Sequence, residues 1–260
     1  MNILETIIER KKYEVGKQKS EAGVADLEGS EFFSRPCLSL EKALLDENGT
    51  GIIAEFKRKS PSKGTINDKA DVLEITKAFV ENGASGLSVL TDAIFFGGSN
   101  NDLVKARINQ VPVLRKDFII DEYQIVEAKS IGADVILLIA ACLTPAEVKK
   151  LAVFTKSIGM EALLELHDEN ELEHISDETN LIGINNRNLK TFEVDVERSL
   201  KMAEKIPADK IKIAESGIDS VKNIFLFKEH GFKGFLIGEL FMKQVDPGKA
   251  FEEFVAGLKA

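Results

Sequence analysis

The sequence predicts an α/β protein: a closed (β/α)8 barrel of the TIM type with an N-terminal helical extension. Three observations carry that prediction. Eight short apolar runs recur along the chain at intervals of roughly 20 to 30 residues, the rhythm of such a barrel. Between them lie stretches with helical periodicity and polar outer faces, several closed by glycine, as helix C-termini often are. No GxGxxG follows the first run, and the even spacing favours closure over an open doubly wound sheet.

Residues 1–50 form the extension, with an amphipathic helix over 3–17 and a short second helix in LSLEKALL (38–45). It is expected to pack on the barrel at 51–260, making 1–260 a single domain. The strands read IIAEF (52–56), GLSVL (86–90), VPVLR (111–115), DVILLIA (134–140), MEALLEL (160–166), LIGIN (181–185), KIKIAES (210–216) and GFLIGE (234–239). Helical patterns include 71–83, 121–132, 144–159 and 220–231. Near-continuous apolar strands imply a sheet buried on both faces, and strand–helix alternation makes it parallel with right-handed crossovers.

With 260 residues, 44% of them hydrophobic, the chain can bury a large core. No apolar run approaches the roughly 20 residues of a membrane span, and the first residues lack the apolar stretch of a signal peptide, so a cytoplasmic location is expected. The formal charge of −9 argues against nucleic acid or anionic membrane as partners. Cys37, Cys142, His167, His174 and His230 form no close-spaced ligand set, so neither a metal nor a disulfide framework is expected. Locally the charge reverses: Lys57, Arg58, Lys59 and Lys63 lie together, as do Arg115 and Lys116. Such clusters are either solvated surface or a site for a small anion.

In a barrel, polar residues at strand C-termini carry the chemistry. In IIAEFKRKSPSKG (52–64), strand alternation turns Glu55 and Lys57 to one face and Phe56 to the other. That pair is a structural salt bridge or part of a ligand site. Lys116 ends the third strand, Glu165 the fifth, Asn185 and Arg187 the sixth, Glu215 and Ser216 the seventh. Lys116 can be a general acid, a Schiff-base nucleophile or a point charge, and burial or a neighbouring cation can lower a lysine's pKa toward neutrality. Its structural alternative is an ion pair with Glu55 or Glu165. Glu165 suits a general base, or an acid if desolvated. AESG (214–217) and IGE (237–239) fall after the last two strands, the usual phosphate site of barrels, with Ser60 able to add a hydroxyl.

The same residues carry a family resemblance. IIAEFKRKSPSKG, LSVLTDAIFFGGS (87–99), LRKDFIID (114–121), ADVILLIA (133–140), LLELHDENELE (163–173), IGINNRNLKTFEVD (182–195), AESGI (214–218) and FLIGE (235–239) resemble indole-3-glycerol phosphate synthase, in the family's order and over nearly the whole chain. The resemblance implies conversion of 1-(2-carboxyphenylamino)-1-deoxyribulose 5-phosphate to indole-3-glycerol phosphate, with loss of CO2 and water and with no cofactor, metal or obligate protein partner. It implies that Lys116 is the general acid on the ketone oxygen and Glu165 the proton-transfer group of the dehydration. Lys57 matches the lysine that meets the substrate carboxylate, and Glu55 and Asn185 match positioning residues. Arg187, Glu215 and Phe96 fall among substrate contacts, Phe96 lining the anthranilate pocket. Ser60, Ser216, Gly217, Gly238 and Glu239 fall in phosphate positions, the Glu239 carboxylate being expected to point away from the anion. One departure stands in TDAIFFGG, where the family commonly has a charged pair before the aromatic.

Three rivals remain at this level. A phosphoribosylanthranilate isomerase needs a Cys and Asp acid–base pair, and Cys142 follows the fourth strand rather than the first. A Schiff-base aldolase would use Lys116 as a nucleophile. A non-catalytic barrel would only bind a phosphorylated ligand.

Overall fold

The computed structural model describes residues 3–187 and 193–259. The eight barrel strands are β1 (Ile52–Phe56), β2 (Gly86–Leu90), β3 (Val113–Lys116), β4 (Val135–Ile139), β5 (Glu161–Leu166), β6 (Leu181–Asn185), β7 (Ile211–Glu215) and β8 (Phe232–Ile237). They form one closed sheet in the order β1-β8-β7-β6-β5-β4-β3-β2, every pairing parallel. The expected strands are all present, with ends displaced by a residue or two. The third begins beyond Pro112, whose nitrogen has no hydrogen to donate to a ladder.

Alternation along the strands builds two cores. Ile52, Ala54 and Phe56 of β1 face the surrounding helices with Val113, Leu164, Ile182 and Ala214, whereas Ile53, Leu114, Leu163, Leu181 and Ile213 fill the barrel interior. All are buried, and each large aliphatic among them contributes about 1.5–3 kcal/mol. Toward the C-terminal ends of the strands the inward positions turn polar: Glu55, Lys116, Glu165, Asn185 and Glu215. Register fixes their heights, with Leu90 opposite Lys116, Ile139 opposite Glu165 and Asn185 opposite Glu215.

The extension wraps the barrel from end to end. Helix α1 (Ile3–Glu21) buries Ile7, Lys11 and Val15, a stripe at intervals of one turn, and Ile3, Leu4 and Ile7 line the C-terminal mouth. A short helix, Leu40–Leu45, closes the opposite end, where Leu40 and Leu44 join the interior core. There the Glu161 carboxylate accepts hydrogen bonds from Ser39 Oγ and the Leu40 and Glu41 amides. No helix among the described residues is long and apolar enough to cross a membrane.

Candidate active site

One cavity of about 1210 Å³, its open mouth included, lies at the C-terminal end of the barrel. Its lining includes Glu55, Lys57, Ser60, Phe96, Lys116, Glu165, Asn185, Arg187, Glu215, Ser216, Gly217, Gly238 and Glu239, so the structure gathers every site residue named from the sequence. Asn188 and Leu189 of the NNRNL motif lie outside the described residues.

Lys116 stands at the centre. Its Nζ lies 2.7 Å from Glu165 Oε2 and 2.6 Å from Glu215 Oε2. The ion-pair alternative foresaw Glu165 but named Glu55 rather than Glu215. Glu55 instead holds Lys57, at 2.6 Å, and accepts a 3.4 Å hydrogen bond from Ser88 Oγ. Burial alone would lower the Lys116 pKa, but the charges of Glu165, Glu215 and Glu55 outweigh it and hold the ammonium well above its ordinary range. The shift toward neutrality that burial or a second cation could produce does not occur: acidic groups, not a second cation, surround the lysine.

The two acids beside Lys116 divide one role between them. Burial works to raise Glu165, yet Lys116 and His167 together keep it well below the usual carboxylate range. Asn185 Nδ2 adds a hydrogen bond of 3.1 Å to Glu165 Oε1. Glu215 has fewer partners, its buried Oε1 meeting no hydrogen-bond donor among the described residues. Burial, opposed by Lys116 and reinforced by the Glu165 charge, pushes Glu215 up to about 8. One ammonium does not offset two adjacent buried carboxylates equally, so the more richly hydrogen-bonded Glu165 is favoured as the anion and Glu215 is pushed toward its protonated form. Glu215 fits there because Gly183 of β6, two residues before Asn185 and facing the same way, has no side chain; a Cβ at that position would meet Glu215 Oε1 at 2.1 Å.

The rim is formed by loops. Ser216 has φ 64°, the one described non-glycine residue in the left-handed region, and Gly217 follows at φ 67°. The Asn186 side chain pins this turn by donating to the Ser216 carbonyl at 2.7 Å. Glu239 does not simply turn out to water: its carboxylate lies 3.3 Å from Arg187 Nη2 and 3.7 Å from Lys63 Nζ. The cationic run of the first loop separates by task. Arg58 clamps Asp102 with two hydrogen bonds, and Lys59 donates to the Ile94 carbonyl, fastening the first loop to the second. Arg115 likewise turns away from Lys116, into a buried cluster with Glu127, Asp117 and Thr91.

Sequence reasoning missed several contributors. Lys11 reaches from α1 to Asp92 and Asp117, and Phe118 stacks obliquely on Phe96 at 6.1 Å. His167 lies beside Glu165. Signals existed for two of them: Lys11 interrupts an apolar helical stripe, and His167 follows Glu165 by two residues at the end of a strand, on the same face.

A family model described as indole-3-glycerol phosphate synthase matches residues 4–254. A protein of that description from Bacteroides thetaiotaomicron is 44% identical over 259 residues, 99% of each chain. Another, from Bordetella pertussis, is 45% identical over 214 residues, 82% of each chain. A third, from a Polaromonas species, is 42% identical over 257 residues, 97% of each. Among solved structures, 3-hexulose-6-phosphate synthase aligns with TM-score 0.62 at 13% identity, over 80% of this chain and 99% of that one. The tryptophan synthase alpha subunit of Legionella pneumophila aligns with TM-score 0.61 at 14% identity, over 85% of this chain and 96% of that one. At such identities these two speak for the barrel alone. The near-complete span of the family model and of its relatives, over a chain whose strand ends converge on this one cleft, makes the protein a member of the indole-3-glycerol phosphate synthase family.

Proposed function

We propose that the cleft converts 1-(2-carboxyphenylamino)-1-deoxyribulose 5-phosphate to indole-3-glycerol phosphate in the cytoplasm, with Lys116 as the general acid of ring closure and Glu165 as the base of dehydration. The observation that carries this reading is the Lys116 ammonium, 2.7 Å from Glu165 and 2.6 Å from Glu215 on the floor of the cleft. The aromatic carbon bearing the carboxylate attacks the ketone carbon, and the carbonyl electron pair moves to an oxygen that takes its proton from Lys116. A cation beside that oxygen is worth most as negative charge develops on it. The bond to the carboxylate then breaks, its electron pair returns to the ring, and CO2 leaves. In the last step hydroxide leaves as water with a proton from a lysine ammonium, and Glu165 takes the proton from the adjacent carbon as the indole double bond forms.

Lys57 grips the substrate carboxylate, and Glu55 orients Lys57. Asn185 orients Glu165, Glu215 and Arg187 contact the substrate, and Phe96 packs on the anthranilate ring. Ser60, Ser216, Gly217, Gly238 and Glu239 surround the phosphate, the last three mainly through backbone N–H groups. A phosphate there competes with Glu239 for Arg187 and Lys63. A Schiff-base reading is disfavoured because the acidic surroundings of Lys116, Glu165 foremost, keep it protonated, without the lone pair a nucleophile needs. An isomerase reading is disfavoured by Cys142, whose thiol is pushed up to about 12 by burial and by Glu165 and Glu171.

The test is turnover of the anilinodeoxyribulose phosphate followed by indole fluorescence. Lys116→Ala and Glu165→Gln should each lower kcat by about 10²–10⁴-fold while changing substrate affinity far less. Wild-type protein that binds this substrate without making the indole would overturn the assignment.

A further inference from the structure

Just past the outward end of β5 stands a side chain that the reaction described above does not use. Alternation puts Leu163, Glu165 and His167 on one face, and His167 is buried just beyond the cleft, outside its lining. Its Nε2 lies 2.9 Å from Glu165 Oε1, the same oxygen that accepts from Asn185 at 3.1 Å. Glu165 Oε2 has a different partner, Lys116 at 2.7 Å. The two oxygens of one carboxylate therefore have different partners: Oε1 accepts from Asn185 and lies at ion-pair distance from His167, whose ring nitrogens make no aligned hydrogen bond among the described residues, and Oε2 meets the proposed acid.

On its other side His167 faces Glu171, whose Oε2 is 3.8 Å from Nδ1 and accepts hydrogen bonds from the His167 and Asp168 amides at 2.6 and 3.3 Å. Glu171 is fixed by its place in the first turn of the short helix Glu169–His174. The charged groups around the ring are thus Glu165 from its own strand and Glu171 from the following turn. The neutral Asn185 amide from β6 shares Glu165 Oε1 with the ring, while Lys116 of β3 stands beyond Glu165.

We propose that His167 is a positioning residue for Glu165: as an imidazolium between two carboxylates it anchors Oε1, leaving Oε2 to exchange Lys116 for the substrate proton. The inference rests on Glu165 being the base. Substrate engaging Lys116 frees Oε2, and the anchored Oε1 keeps the freed oxygen aimed at the carbon acid instead of letting the carboxylate rotate. Burial opposes the imidazolium, but the contacts with Glu165 and Glu171 raise His167 to about 9. The charged form prevails below that pH and is lost as the pH rises through it.

The experiment measures kcat and KM from pH 6 to 10 for wild type, His167→Gln and His167→Leu, with a thermal melt of each. His167→Leu should lose about 10- to 100-fold in kcat at pH 7.5, a fraction of what a general base supplies, with KM within about twofold. His167→Gln, which retains a donor but cannot titrate, should recover most of that loss and lack the alkaline limb of kcat/KM near 9. Wild-type kcat and an unchanged limb in both variants would overturn the proposal, as would a loss in KM alone. If His167→Leu does not fold, the pH profile of His167→Gln decides by the same criterion. A Glu165→Gln variant with full turnover would instead show that the reading of Glu165 is wrong, so the two failures are distinguishable.

Discussion

Lys11 Nζ lies 2.9 Å from Asp117 Oδ1, which joins a helix outside the barrel to the residue that follows Lys116 in the chain. The same ammonium lies 2.9 Å from Asp92, whose other oxygen accepts from the Phe95 and Phe96 amides. Asp117 in turn accepts from the Phe118 amide. One buried cation of the extension therefore braces the backbone beneath both aromatic side chains of the cleft.

Replacing it should affect stability and binding together. Lys11→Met leaves the buried Asp92 without its cation and Asp117 with Arg115 alone, and breaking a buried pair costs about 3–5 kcal/mol. The expected result is a lower melting temperature and a raised KM for the aryl substrate, with the affinity for inorganic phosphate little changed. Calorimetry and phosphate competition would check it. Equal weakening of both ligands would contradict a role confined to the aromatic side of the cleft.

Gly183→Ala should leave the barrel intact and damage turnover. The new methyl would stand 2.1 Å from Glu215 Oε1, so that carboxyl group must swing away from Lys116. We expect kcat/KM to fall at least about tenfold, the scale of a misplaced binding group, while the circular dichroism spectrum is retained. Wild-type kinetics in this variant would mean that Glu215 can relocate without consequence.

The protonation of Glu215 gives a pH signature in the free enzyme. Below about 8 the group is neutral, and as the pH rises through that value a second carboxylate appears on Lys116. Added negative charge in the cleft opposes an anionic ligand, so affinity for indole-3-glycerol phosphate should decline above pH 8. Titration calorimetry at pH 7 and 9 would measure the decline, and Glu215→Gln should flatten it. A wild-type affinity that does not change across this interval would refute the assigned proton.

At the other end of the barrel, Asp134 is fully buried and accepts from Arg35, from Arg107 and from the Leu38 and Val113 amides. Asp134→Ala strands two guanidinium groups and should lower stability by about 3–5 kcal/mol. Because the cleft lies at the opposite mouth, kcat measured well below the melting temperature should remain within about twofold. Denaturant titration and steady-state kinetics on the same preparation test both halves.

Local sequence pattern dictates the barrel and the direction of its important side chains. Period-two alternation turns Glu55 and Lys57 inward together, and the apolar runs end where Lys116, Glu165, Asn185 and Glu215 line the cleft; both follow from local geometry. It also carried the family resemblance through whole motifs. Which side chain meets which was settled by the packing of the closed barrel. Arg115 and Lys116 are adjacent in the chain, yet strand alternation and the packed helix send them to opposite faces with different partners. Lys116 could have paired with any inward acid; barrel closure and stagger chose Glu165 and Glu215 and left Glu55 to Lys57. The reach of Lys11 into the barrel depends on how α1 lies across the mouth, and the charge of His167 on two carboxylates brought within contact range. Burial and Coulomb interaction act on distances through space, so the division of protons among Lys116, Glu165, Glu215 and His167 was set only when the chain closed around them.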